Sequence, residues 1–199
     1  STAYLGDIFH SAPLRVGSPN VFYSDDEFGR YRDSMASNRK TMIYAGANDG
    51  MIHAFDDSSG FEEFALIPEN FIPQVKTLLD SHRFYVDADP MAADIWFPSS
   101  ETDTFKNRNE WKTVLMAPQG EGGRGISILD ITNPNNISYL FGFHEDTMAL
   151  TTSIPIIHKI ERLNASGDTV QRFFAFFGGG EWPDTLYNKY DPTSSDSLK

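Results

Sequence analysis

Hydrophobic residues along this chain come in short runs rich in β-branched and aromatic side chains, punctuated by glycine, asparagine and aspartate, and the runs recur as a unit. The unit is an apolar strand, a turn, and a second strand ending in aspartate, which is the pattern of a β-hairpin. Its first copy reads Thr41-Met-Ile-Tyr-Ala-Gly46, the turn Ala47-Asn-Asp-Gly50, then Met51-Ile-His-Ala-Phe-Asp56. The second reads Lys112-Thr-Val-Leu-Met-Ala117, a glycine-rich turn over 119–125, then Ile126-Ser-Ile-Leu-Asp130. The third reads Arg172-Phe-Phe-Ala-Phe-Phe177, a turn over 178–184, then Thr185-Leu-Tyr-Asn-Lys-Tyr-Asp191. Asn48, Asp49 and Gly50 are residue types that tolerate the positive φ of a tight hairpin turn.

The first two copies continue through polar turns, 57–60 and 132–136, into further strands at 61–67 and 137–143. Each copy is preceded by a strand marked with proline at 13, 90 or 155, in steps of 77 and 65 residues. Proline is tolerated at a strand start or a sheet edge, so these segments read as opening strands. A four-stranded unit repeating with long loops predicts an all-β fold, a single partial β-propeller domain over 1–199 with about two and a half to three blades at roughly 11–80, 88–143 and 152–199. At the end of the first blade, Phe71, Ile72, Val75, Leu78 and Leu79 share one apolar face if 68–80 is helical, so one short helix covering the side of that blade is expected there. The polar stretches 24–40 and 98–110 read as surface loops.

With 28 acidic against 16 basic residues, the net charge of −12 repels phosphate backbones and anionic headgroups, so nucleic acid is not an expected partner. There is no cysteine, which removes disulfides, thiolate metal sites and thiol nucleophiles. No apolar stretch approaches the roughly 20 residues of a membrane span, and the first residues lack the basic and apolar run of a signal peptide, as an excised domain would. Because closed propellers use typically 4 to 8 blades, the polypeptide is expected to continue beyond Lys199.

Candidate chemistry is sparse. The run Gly120-Glu-Gly-Gly-Arg-Gly125 has the composition of a phosphate cradle, but no Lys-Ser or Lys-Thr follows and it joins two strands, so a hairpin turn is expected. His10, His53, His82, His144 and His158 lie in different segments without metal-ligand spacing. Asp25, Asp26 and Glu27, and Glu101 with Asp103, offer hard oxygen ligands but lack the alternating pattern and glycine of a calcium loop, so solvated loop faces are expected. Asp56, Asp130 and Asp191 end equivalent strands, where each is expected to accept hydrogen bonds from the turn that follows. Phe173, Phe174, Phe176, Phe177 and Trp182 are expected in packing contacts between blades. No catalytic, cofactor-binding or metal-ligating residue is assigned.

The segments Gly6-Asp-Ile-Phe-His-Ser-Ala-Pro13, Ile43-Tyr-Ala-Gly-Ala-Asn-Asp-Gly-Met-Ile-His-Ala-Phe-Asp56, His82-Arg-Phe-Tyr-Val-Asp87, Trp111-Lys-Thr-Val-Leu115 and Gly122-Gly-Arg-Gly-Ile-Ser-Ile-Leu-Asp-Ile-Thr-Asn-Pro134 occur in that order. Together they resemble the opening of the C-terminal propeller of PilY-type proteins associated with the tips of type IV pili. The resemblance implies an exported, non-catalytic protein of the pilus tip, outer membrane or cell surface. It further implies support for pilus extension, twitching motility and adhesion, with pilus subunits, minor pilins and host or abiotic surfaces as partners. Relatives often bind calcium through an aspartate-rich loop that this chain lacks, so no cofactor is carried over to it. The Tyr44-Ala-Gly-Ala-Asn-Asp-Gly-Met-Ile-His-Ala-Phe-Asp56 unit also resembles quinone-dependent propellers, so the alternative is a dehydrogenase using pyrroloquinoline quinone.

Overall fold

The computed structural model describes residues 5–36, 39–78, 80, 82–100, 102–145 and 147–180. Among them, strands β1 (Leu14–Val16), β2 (Met42–Gly46), β3 (Ile52–Asp56) and β4 (Glu62–Leu66) form one antiparallel sheet. Strands β5 (Met91–Trp96), β6 (Trp111–Pro118), β7 (Gly125–Asp130) and β8 (Ser138–His144) form a second, and β9 (Ile156–Leu163) pairs with β10 (Thr169–Phe176) in a third. Spatial order follows chain order in every sheet, so each strand pairs through a local turn with the next, the form expected of a propeller blade. The β2–β3 turn closes on Gly50, whose φ of +89° is open to glycine at no steric cost, while Asp49 accepts a hydrogen bond from the Met51 N–H at 3.1 Å. Both four-stranded sheets shift register at the same place, between Ala54 and Phe55 in β3 and between Ile128 and Leu129 in β7. Such bulges strengthen local twist, and the two repeats carry theirs at the same place, between the third and fourth strands.

The second sheet is apolar on both faces. Leu115, Ala117, Leu129 and Ile131 pack toward the first sheet's Met42, Tyr44, Ile52 and Ala54. Val114, Met116, Ile126 and Ile128 pack the other way, against Ile157 and Phe173 of the third sheet. The central strands β6 and β7 are covered on both faces, which is why they read as continuous apolar runs and not as an alternation. Phe71, Tyr85 and Val86 of the connection from β4 to β5 close the first of these cores.

Two inserted segments differ from their sequence readings. Over 68–80 the helical character is split into two 3-10 turns, Glu69–Phe71 and Val75–Thr77, and is not one amphipathic helix. Pro73 lies between them; it has no N–H to donate and its ring clashes with a helical carbonyl four residues back. Phe71 accordingly points inward while Ile72 is exposed. The 24–40 stretch, expected as a surface loop, carries the helix α1 (Asp26–Met35), capped by Asp25, whose carboxylate accepts from the N–H groups of Glu27 and Phe28 at 3.1 Å each. Its Phe28 and Tyr31 pack with Tyr23, Trp96, Trp111 and Phe173, so α1 clamps the ends of β5 and β6 to the third sheet. The 98–110 loop ends in a 3-10 turn, Arg108–Glu110, with a reciprocal capping box from Asn107, and the Glu110 carboxylate also accepts from Trp96 Nε1 at 3.0 Å.

Candidate functional site

Three segments that precede the first strand of each sheet meet at the hairpin-turn end of the molecule, around a cavity of about 210 Å3 lined by His10, Asp87, Asp89, Glu121, Thr152 and Ile154. Prolines 13, 90 and 155, one in each segment, mark the repeat. The contacts respect that repeat. The buried Asp87 carboxylate accepts from the His10 N–H at 3.2 Å and pairs with His10 Nδ1 at 2.5 Å. Asp89 accepts from the Ala12 N–H at 2.6 Å. Both pairs are 77 residues apart, the step between the first two prolines, so equivalent positions of neighbouring repeats are tied directly to each other. The bond to Asp87 raises the pKa of His10, whose ring is half-exposed at the cavity rim.

The segment before β1 is also tied to the first sheet. Gly6 donates its N–H to Asp49 at 2.9 Å, and Asp7 accepts from the backbone and side-chain N–H groups of Asn48 at 2.9 and 2.8 Å. Asn48 in turn accepts from the Tyr85 N–H at 3.1 Å, which fastens the β4–β5 connection to the β2–β3 turn. That connection lies so close to the β6–β7 turn that a Cβ on Gly122 would sit 1.9 Å from the Tyr85 carbonyl oxygen. The glycine run thus serves as a turn that admits a neighbouring backbone, with Gly120 at φ +59°.

The histidines do not converge. His10 pairs with Asp87, and His82 Nε2 lies 3.1 Å from Asp7. His53, 2% exposed at its side chain, is held between Asp49 on Nε2 at 3.1 Å and Glu62 on Nδ1 at 2.5 Å. Burial opposes charge on His53, but donating to two carboxylates outweighs it and raises the pKa; partial burial pushes the half-buried Asp49 up, and the bond from His53 with two backbone N–H bonds brings it below its usual value. Two flanking acceptors require a donor on each ring nitrogen, which only the imidazolium supplies. His144 and His158 are exposed. Among the described residues, no group of three or more histidine, aspartate or glutamate side chains is placed to hold a metal ion.

The acidic candidates have structural partners. Asp25 caps α1 and receives Lys106 Nζ at 2.6 Å; Asp103 accepts from the Phe105 N–H at 3.2 Å; Glu101 lies outside the described residues. Asp56 accepts from the Ser58 and Ser59 N–H groups at 2.7 and 3.1 Å and lies 2.8 Å from Lys40, whose bond holds the Asp56 carboxyl well below the usual range. Asp130 accepts from the Thr132 N–H at 3.0 Å and pairs with Lys112. Both therefore cap the turn that follows, whereas Asp191, Trp182, most of the turn over 178–184 and the strand over 185–191 lie outside the described residues. Phe173 packs against Trp111 and Tyr23, and Phe177 against Phe143, while Phe174 and Phe176 are exposed. One feature of this end escaped the sequence reading: Phe9 and Phe84 stack with ring centroids 5.7 Å apart beside the His10–Asp87 pair. The equal 77-residue spacing of the prolines and of His10 with Asp87 was the available signal.

Comparison with known proteins is consistent along the chain. A family model described as the PilY1 beta-propeller domain matches residues 5–151. A type IV pilus biogenesis factor PilY1 homolog of Xylella fastidiosa is 38% identical over 147 residues, covering 69% of this chain and 11% of that protein. Type IV pilus biogenesis factor PilY1 of Pseudomonas aeruginosa strain UCBPP-PA14 is 32% identical over 174 residues, covering 79% of this chain and 14% of that protein. The chain thus spans only 11 to 14% of the length of these relatives. The crystal structure of the Pseudomonas aeruginosa PilY1 C-terminal domain superposes with a TM-score of 0.59 at 26% identity, over 86% of this chain and 32% of that one.

Proposed function

Since this chain belongs to the PilY1 β-propeller domain family and its sheets form part of a β-propeller, we propose that it supplies the opening blades of a type IV pilus biogenesis factor and acts without catalysis. The observation that carries this reading is the family match running unbroken through the first two sheets, from residue 5 to residue 151. In this reading the blades occupy about 11–80, 88–143 and 152–199. The protein is exported to the pilus tip, outer membrane or cell surface, engages pilus subunits and minor pilins, and supports extension, twitching motility and attachment. No cofactor is assigned to this chain. Among the described residues, no helix is long and apolar enough to cross a membrane. The third sheet leaves Ile156, Ile160, Phe174 and Phe176 exposed, a face suited to packing against a further blade.

The test is genetic. Deleting the gene in its host bacterium is expected to reduce surface pili, shrink twitching zones and lower attachment, with recovery on complementation by the intact gene. Unchanged pilus number, twitching and attachment would sink the proposal. Dye reduction by the intact protein supplied with pyrroloquinoline quinone and calcium would overturn its non-catalytic part.

A further inference from the structure

We propose that the stacked Phe9–Phe84 shelf, with the carboxylates beside it, is a docking surface for a basic segment of a partner protein. An arginine or lysine side chain lies on the shelf and directs its charge toward Asp89 and Glu121. The inference stands on the geometry of this end of the molecule and is independent of the pilus reading.

Phe9 is 67% exposed although the backbone on both sides of it is fixed. Gly6 is bonded to Asp49, Asp7 to Asn48, His10 to Asp87 and Ala12 to Asp89. The ring is therefore held out to solvent by a rigid segment and backed by Phe84 at an interplanar angle of 27°, with the His10 ring at 4.5 Å, edge to face. A preorganised aromatic of this kind lowers the ordering cost of binding. Its ring face carries the negative part of the aromatic quadrupole, which attracts guanidinium and ammonium groups.

Charge selects the occupant. The adjoining cavity is lined by three carboxylates, Asp87, Asp89 and Glu121, against the one imidazole of His10, which Asp87 already pairs, and Glu121 is exposed with no hydrogen bond or ion pair among the described residues. The whole chain carries a net charge of −12. Such a site steers cations toward it and repels acidic partners. Arginine is the better fit, because its planar guanidinium both stacks on a ring and donates to carboxylates. A saccharide also stacks on exposed aromatic rings, but it gains nothing from the net charge around them.

Isothermal titration of the intact protein with a blocked tri-arginine peptide tests this, with maltotriose as the neutral comparator. Saturable binding is expected for the peptide, weakened in 0.5 M sodium chloride and by Glu121→Gln. Phe9→Ala and Phe9→Leu are each expected to weaken it by about twofold to thirtyfold, the range of a cation–π contact. Phe9 is exposed, so both variants should melt at the wild-type temperature. Peptide binding that Phe9→Leu leaves unchanged, the absence of saturable binding at millimolar peptide, or binding of maltotriose in its place would each overturn the proposal.

Discussion

Replacing Phe28 with alanine tests whether α1 is a structural clamp or a dispensable surface insertion. The ring is fully buried, with centroids 4.8 Å from those of Tyr23 and Trp111 and 6.0 Å from that of Tyr31. Phenylalanine-to-alanine changes in cores cost about 3–5 kcal/mol, of which roughly 1.5–3 is transfer of the side chain and the rest the cavity left behind. Because α1 packs over strand ends and can shift inward, the lower end of the range applies, about 3 kcal/mol. For a chain of this size that corresponds to a fall in melting temperature of about 6–12 °C. Thermal unfolding followed by tryptophan emission is the assay, with urea titration giving the free energy, since Trp96 and Trp111 both belong to the cluster around the ring. Arg30→Ala, on the solvent face of the same helix with its side chain 69% exposed, should change stability by less than about 0.5 kcal/mol. A Phe28→Ala protein that melts within 2 °C of wild type, or one no less stable than Arg30→Ala, would refute the clamp (thresholds of about this size follow from the same scaling).

Gly122→Ala should destabilise by at least the about 1–3 kcal/mol of overpacking, since the new methyl meets the Tyr85 backbone 1.9 Å away; Gly29→Ala, helical with nothing within 4 Å, should stabilise by about 1 kcal/mol, and thermal melts showing the same sign for both would contradict the packing described. His53 has a raised pKa, so its ion-paired form contributes fully below the unfolded value near 6.5 and is lost as pH rises through the folded one. The stability gap between wild type and His53→Gln in urea titrations should therefore be larger at about pH 5.5 than at about pH 9, and a gap that stays constant or grows with pH would count against the bridge. The exposed apolar face of β9 and β10 should make the isolated chain self-associate in light scattering, and Ile156→Lys with Phe176→Lys, directly paired there, should reduce that association; a monomeric wild type, or association the double variant leaves unchanged, would count against a role for this face in packing.

The hairpin units were legible because their information is local: a β-branched run, a turn residue able to adopt positive φ, and an aspartate whose carboxylate caps the next turn. Asp56 and Asp130 do cap those turns. The α1 segment was not legible, because its apolar stripe is only Phe28, Tyr31 and Met35 amid seven other residues that are mostly charged or polar. Over 68–80 the apolar spacing suggested one helical face, and Pro73 overrode it. The site at the hairpin-turn end was only partly legible. Contacts such as His10 with Asp87 join residues 77 apart, and nothing local in either segment says that they meet. The matching spacing of the prolines carried that information, but only once the repeats were aligned at residue level. The Phe9–Phe84 stack followed the same logic, since both rings sit in connections whose course depends on neighbouring sheets.

As successive blades, the sheets are set radially about one axis, with their first strands converging and their fourth strands spreading apart. Because the chain has no cysteine, nitroxide labels can be placed selectively on introduced cysteines, and electron–electron double resonance then gives distances between them. One pair joins first strands, at Arg15 and Ala92, which line a common cavity between the first two sheets; the other joins fourth strands, at Glu63 and Tyr139. A radial arrangement predicts a clearly shorter distance for the Arg15–Ala92 pair than for the Glu63–Tyr139 pair. Equal distances would mean sheets stacked with uniform spacing, a shorter Glu63–Tyr139 pair would mean the opposite splay, and either would rule out blades radiating from their first strands.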